Sequence, residues 1–185
     1  MMKRALPKTI SLIALAAVTL PSTWAQGHQK PSTAGRPNQV LDGAATLWMD
    51  PTRWTGVLSA REDTLIFIHQ DSVAHGRLIF KPEGKPAEAQ AQEILERVRK
   101  VSPAAKFIFE EPRKVNGVDV HCFQIEAPQG GGSPMIYYGY VYGDERISIQ
   151  VFGLVELANL GKYYLDLTGF LNGLEIAQDP KPLDP

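Results

Sequence analysis

The chain has 185 residues, a single cysteine and a near balance of 19 basic against 20 acidic side chains, for a formal charge of −1. One cysteine excludes an intramolecular disulfide framework. With no disulfide available, stability must come from packing, and the balance of charge argues against a nucleic-acid binder, which needs a basic stripe to neutralise phosphates.

The first 25 residues, MMKRALPKTISLIALAAVTLPSTWA, have the organisation of a secretory signal peptide. Lys3, Arg4 and Lys8 form a basic leader, residues 10–20 an apolar run too short to span a bilayer, and Thr23-Trp24-Ala25 a small-x-small cleavage site. Cleavage after Ala25 removes three basic and no acidic residues, taking the charge to −4. About 160 residues remain, which suits one domain with a single core. No cysteine lies near the cleavage site to accept a lipid anchor, and no later segment is long and apolar enough for a membrane span. The expected location is outside the cytoplasm, periplasmic or secreted.

Residues 26–45, rich in Gly, Pro, Ser and Gln, read as a flexible arm, and the proline-rich residues 178–185 as a loose tail. The folded domain is expected at residues 46–177. Within it, TLIFIH (residues 64–69) and GRLIFK (residues 76–81) read as strands separated by a turn. A helix is expected over residues 86–101, where Ala87, Ala91, Ile94, Leu95, Val98 and Val101 recur at helical spacing. Pro86 and Glu88 suit its start, and Arg97, Arg99 and Lys100 its end.

Four strands are expected next. Residues 106–111 and 118–127 flank Asn116-Gly117, a two-residue hairpin signal. Strict pairing about that turn puts Phe107 and Phe109 on the face of Cys122, and a bulge near Pro112 would return them to the face of Phe123 and Ile125. Residues 135–142 and 145–154 pair about Gly143-Asp144, with Tyr140 opposite Ile147, Tyr138 opposite Ile149 and Ile136 opposite Val151. A closing helix over residues 157–172 presents Leu160, Tyr164, Leu167, Leu171 and Leu174, with Gly173 as its C′ residue. The fold class is therefore α+β in the order ββ-α-ββββ-α. About six mainly antiparallel strands form a sheet on which two amphipathic helices pack, giving an α/β/α sandwich.

Candidate sites are few. Tyr138 and Tyr140 belong to the apolar face of their hairpin and read as core. The opposite face carries Tyr137, Val141, Arg146, Ser148 and Gln150 around Gly139, and from it Tyr137, Arg146, Ser148 and Gln150 are taken as the candidate partner-contact surface. His121 and Cys122 are neighbours on a strand and point to opposite faces, so no thiol–base pair forms between them, and Cys122 reads as a buried thiol. His69, Asp71, His75 and His121 lack the spacing of a metal-ligand set, and Gly130-Gly131-Gly132 lacks the Lys-Ser/Thr of a phosphate loop. No catalytic residue, cofactor site or metal site is expected. Trp48 and Trp54 lie where a segment closing one end of the core is expected.

The element order, the hairpin in KVNGVDVHCFQIEA, the aromatic strand MIYYGYVYG and the closing FLNGL together resemble the PsbP/MOG-like α/β/α sandwich family over roughly residues 48–176. That resemblance implies a domain that acts through its surfaces on other proteins. The expected function is a non-enzymatic, exported protein-binding accessory factor of the cell envelope or of secretion. A carrier of a small apolar ligand is the alternative, and a hydrolase or metal-dependent enzyme a weaker one. The expected partner is an envelope protein, with no nucleic acid.

Overall fold

The computed structural model describes residues 35–57, 59 and 61–177. The signal segment, the first part of the arm and the tail lie outside the described residues. In chain order the elements are β1 (Arg36–Val40), β2 (Ala45–Met49), β3 (Trp54–Val57), β4 (Thr64–His69), β5 (His75–Lys81) and α1 (Ala87–Arg99). They are followed by β6 (Lys106–Val115), β7 (Val118–Ala127), β8 (Met135–Gly143), β9 (Ser148–Glu156), α2 (Leu157–Leu171) and β10 (Leu174–Ile176).

Seven strands form one antiparallel sheet in the order β3-β4-β5-β9-β8-β7-β6, and β1-β2-β10 form a second, smaller sheet. Strand alternation gives the large sheet two distinct faces. On one face, Phe123, Ile125, Val141 and Phe152 pack beneath Ala91, Ile94, Leu95 and Val98 of α1. On the other, Cys122, Ile136, Tyr138, Tyr140, Ile149 and Val151 meet α2 and the small sheet through Tyr163, Leu167, Phe170, Leu47 and Leu174. The result is the expected α/β/α sandwich, with the small sheet completing the α2 layer.

The arm is shorter than its composition implies. Residues 36–40 form β1, which pairs with β2 from Arg36↔Met49 to Val40↔Ala45, and β2 in turn pairs with β10. Pro37 and Asn38 obscure the strand signal, and only pairing with β2 fixes the segment. The strands β2, β3 and β10 likewise escaped the sequence pattern, being three to five residues long.

Two hairpins differ in an instructive way. Asn116 and Gly117 take φ of 48° and 87°, and Val115 faces Val118, as a two-residue turn with positive φ at both positions requires. The irregularity in β6 falls between Phe107 and Phe109, at Ile108, and not at Pro112. Phe107 thereby returns opposite Ile125 and joins the α1 side, while Ile108 and Phe109 stay exposed. Pro112 needs no bulge because β6 is an edge strand, where a missing donor is tolerated.

The second hairpin does not turn at Gly143-Asp144. Gly143 faces Ser148, and Tyr140, Tyr138 and Ile136 face Val151, Gly153 and Val155. The Asp144 carboxylate accepts from the backbone N–H of Arg146 and Ile147 at 2.7 and 2.9 Å, closing a four-residue loop. The register moves by an even number of residues, so the side chains that remain in the two strands keep their expected faces, while residues 145–147 pass into the loop. Val101 lies beyond the end of α1 and is 80 % exposed, so it is not part of the helix stripe. Gly173 follows α2 as expected, but with no positive φ. A Cβ there would lie 1.9 Å from the Trp48 carbonyl oxygen, so β2 excludes a side chain.

Candidate functional site

Three places concentrate chemistry: a histidine between two carboxylates, an arginine over two tyrosines, and the α1 side of the large sheet.

His69 ends β4 and is buried against the rings of Trp54 and Tyr163, each 5.1 Å away between centroids. Its Nδ1 lies 2.8 Å from Asp71 Oδ1 and its Nε2 3.2 Å from Asp166 Oδ2. Asp166 also accepts from Arg53 Nη1 at 2.9 Å, and Asp71 accepts from the Tyr163 hydroxyl and from Lys162 at 3.4 Å. Donation by Tyr163 outweighs desolvation and, with His69, the Val73 N–H and Lys162, holds the Asp71 carboxyl well below the usual carboxylate range. The group joins the β4–β5 turn and the segment before β3 to α2. Both ring nitrogens are engaged, so the arrangement acts as a buried tie. Among the described residues no three His, Cys, Asp or Glu side chains gather as a metal site. His75 is exposed on β5, and His121 Nε2 lies 3.0 Å from Glu110 Oε1.

Arg113 reaches across the β6–β7–β8 end of the sheet. Its Nη1 donates to the hydroxyls of Tyr138 and Tyr140, both at 3.3 Å, while Nε donates to Glu111 at 3.0 Å. Tyr140 donates onward to Asn172 Oδ1 at 3.0 Å, and Tyr138 stacks on Tyr164. Cys122 is fully buried beneath this group. Burial pushes its thiol up to about 12 against the opposing pull of Arg113, so the sulfur is protonated and inert at neutral pH.

The α1 side of the sheet separates the four residues of the expected contact surface. Ser148 and Gln150 lie at the edge of α1 and are buried, with Ser148 Oγ donating to Glu83 O at 2.7 Å and Arg97 Nη2 donating to Gln150 Oε1 at 2.6 Å. Arg146 sits in the β8–β9 loop, bound to Asp144, and not on the strand. Arg146 is exposed there, and Tyr137 lies at the margin of the sheet face, half-buried opposite Leu154. Strand alternation puts Tyr137, Ser148 and Gln150 on one face of the sheet, but the position of α1 over that face has no signal in strand alternation. Trp54 is buried as an end-closing residue, 4.7 Å from Phe170, and Trp48 donates from Nε1 to Glu175 Oε2 at 2.7 Å.

Beyond α1 this face continues over β9, β5, β4 and β3 through Leu154, Arg77, Ile79, Ile66, Ile68 and Val57. The aliphatic residues here are partly exposed and Arg77 is exposed. Arg61, Arg77 and Arg97 lie close enough that each of the first two disfavours the charge of Arg97, whose guanidinium is lowered chiefly by burial. Where α1 meets β5 and β9 there is also a cleft of about 270 Å³, lined by Ile79, Lys81, Lys85, Gln90, Glu93 and Gln150 among others.

No protein-family model matches the chain, and no curated protein does. Among solved structures it is similar to the cyanobacterial PsbP protein (CyanoP) of Synechocystis sp. PCC 6803, with a TM-score of 0.60 and 12 % identity, over 85 % of this chain and 99 % of that one. More distant similarity is found to PA94 of Pseudomonas aeruginosa, with a TM-score of 0.47 and 10 % identity over 80 % of this chain and 99 % of that one. LpqN of Mycobacterium tuberculosis, a protein involved in cell envelope biogenesis, has a TM-score of 0.42 and 11 % identity over 81 % of this chain and 87 % of that one. At such identities the likeness is one of architecture: the chain has a PsbP-like α/β/α sandwich fold.

Proposed function

We propose that the mature chain is an exported, non-enzymatic accessory domain of the cell envelope that binds a protein through the uncovered part of the sheet face beside α1. The observation that carries this reading is the patch of Ile66, Ile68, Ile79, Leu154 and Tyr137 around exposed Arg77. A sheet face with aliphatic side chains ordinarily receives a covering layer. Arg77, the exposed cation within the patch, favours a partner segment carrying a carboxylate among apolar side chains. Export rests on the leader at residues 1–25. The non-enzymatic reading is supported by His69 being held between two carboxylates and by the burial of Cys122. No helix among the described residues is long and apolar enough to cross a membrane.

The test is capture from envelope extract with the mature chain and three variants: Tyr137→Ala, Arg77→Glu and, on the exposed outer side of α2, Leu165→Asp. A retained protein lost with the first two and kept with the third supports the reading, given unchanged circular dichroism. Retention that ignores Tyr137→Ala and Arg77→Glu, or an empty capture, overturns it.

A further inference from the structure

The uncovered sheet face ends at β3, the four-residue edge strand at the opposite end of the large sheet from β6. Two bonds fix the phase of its ladder: the Gln70 N–H donates to Arg53 O at 2.8 Å, and the His69 N–H donates to Ala74 O at 2.9 Å. By antiparallel alternation, Thr55 and Val57 then turn their main-chain groups toward β4, and Trp54 and Gly56 turn theirs outward. The Trp54 N–H is taken by Asp50 O at 2.9 Å. The Trp54 carbonyl and both main-chain groups of Gly56 face outward, with no strand beside them among the described residues.

The two edges of the sheet differ in how they meet solvent. β6 carries the features that discourage edge pairing: Pro112 supplies no donor, the register breaks between Phe107 and Phe109, and Lys106, Glu110 and Lys114 are exposed along it. β3, with the sequence WTGV, has no proline, no charge and no break in register. Nothing inside the molecule requires Gly56 to be glycine. Its φ is not positive, and an added Cβ would meet only the Phe67 ring, at 3.7 and 3.8 Å, in ordinary contact. Glycine weakens a strand interior, and close approach of another backbone is a recurrent reason for one. Val57 and Thr55 share the face of Ile66 and Ile68, so a strand added at this edge extends the apolar patch.

We infer that the protein partner is held by strand addition: an extended segment lies beside β3, its N–H groups donating to the carbonyls of Trp54 and Gly56 and one of its carbonyls accepting from the Gly56 N–H. Alternate apolar, β-branched side chains of that segment stand beside Thr55 and Val57. Main-chain bonds supply the anchor and the side chains select the segment. The inference rests on the reading of the sheet face as the partner surface and specifies how the partner is attached.

The test is an amide chemical-shift titration of the isotope-labelled mature protein with the peptide acetyl-Glu-Val-Thr-Val-Thr-Val-Lys-amide, to about 5 mM, a range that reaches millimolar dissociation constants. Shifts are expected in residues 53–57 and in β4 beside them. The same peptide N-methylated at both threonines keeps its side chains and loses the N–H groups that face β3, so it is expected to bind at least about ten-fold more weakly. Gly56→Pro removes the outward donor and no ladder bond within the sheet, and a similar loss is expected, with circular dichroism reporting the fold. Gly56→Ala keeps the donor and is expected to bind within about three-fold of the parent. In capture from envelope extract, a protein kept by Gly56→Ala and lost with Gly56→Pro supports the inference. One kept equally by both overturns strand addition and leaves the sheet-face reading standing. An empty capture overturns that reading, and the peptide titration still decides the edge. The inference is overturned if the peptide shifts no amide of β3, or if N-methylation or Gly56→Pro leaves its affinity unchanged.

Discussion

Asn116 donates from Nδ2 to the backbone carbonyl of Asn172 at 2.8 Å, and so ties the tip of the β6–β7 hairpin to the end of the closing helix. The same amide group also donates to Leu174 O at 2.7 Å, in β10. One turn residue thus links the large sheet, α2 and the small sheet. Asparagine serves both demands of the position, since it tolerates φ of 48° and its amide reaches the helix end.

Replacing Asn116 separates those two roles. Asn116→Gly keeps the positive φ and loses only the two bonds, for an expected destabilisation of about 1–2 kcal/mol. Asn116→Ala loses the bonds and strains the turn, for about 1 kcal/mol more. Urea denaturation of both variants measures the difference. Equal stability of the variants and the parent would show that the tie contributes nothing.

Cys122 is expected to resist thiol reagents in the folded protein at pH 8, since burial pushes its pKa to about 12 and removes access. Labelling by a disulfide reagent should track unfolding through a denaturant series. Rapid labelling without denaturant would contradict the buried position.

Acid stability follows from Asp71. Its folded pKa lies below the unfolded value of about 3.9, because Tyr163 first, then His69, the Val73 N–H and Lys162 favour the carboxylate. The stabilisation is fully present above that unfolded value and is lost as pH falls below about 4 toward the folded pKa. Asp50, Glu93 and Asp144 are lowered too and act with the same sign. Thermal melts from pH 6 to pH 2 should show a falling Tm, with a shallower fall in Asp71→Asn.

Glycines divide into two groups with opposite expected responses. A Cβ at Gly139 would lie 2.4 Å from Phe152 Cβ and 2.7 Å from Val151 O. Gly139→Ala should therefore cost about 1–3 kcal/mol, toward the upper figure because a backbone atom cannot rotate aside. Gly161 and Gly169 lie within α2 with open space around the added carbon. Each alanine there should gain about 0.5–1 kcal/mol from helix propensity. Melting curves of the three variants check both signs.

What the sequence determined alone is whatever depends on local period and local turn chemistry. The 3.6-residue spacing from Ala91 to Val98, the two-residue spacing of Tyr138 and Tyr140, and the Asn116-Gly117 turn each specify their own geometry, and all three stand in the structure. The faces of β8 and β9 were legible despite the longer loop, because an even register change leaves strand faces intact. The tertiary structure decided everything that depends on a distant partner. Residues 36–40 become a strand only when β2 is beside them, and β2 is held in turn by β10 from the far end of the chain. Ser148 and Gln150 became buried because α1 lies over their part of the sheet, while Tyr137 kept an accessible margin. The burial of His69 between Asp71 and Asp166 required α2 to return to the β4–β5 turn. Short strands and inter-element ties carry no periodic signal of their own, since their free energy comes from contacts between segments far apart in the chain.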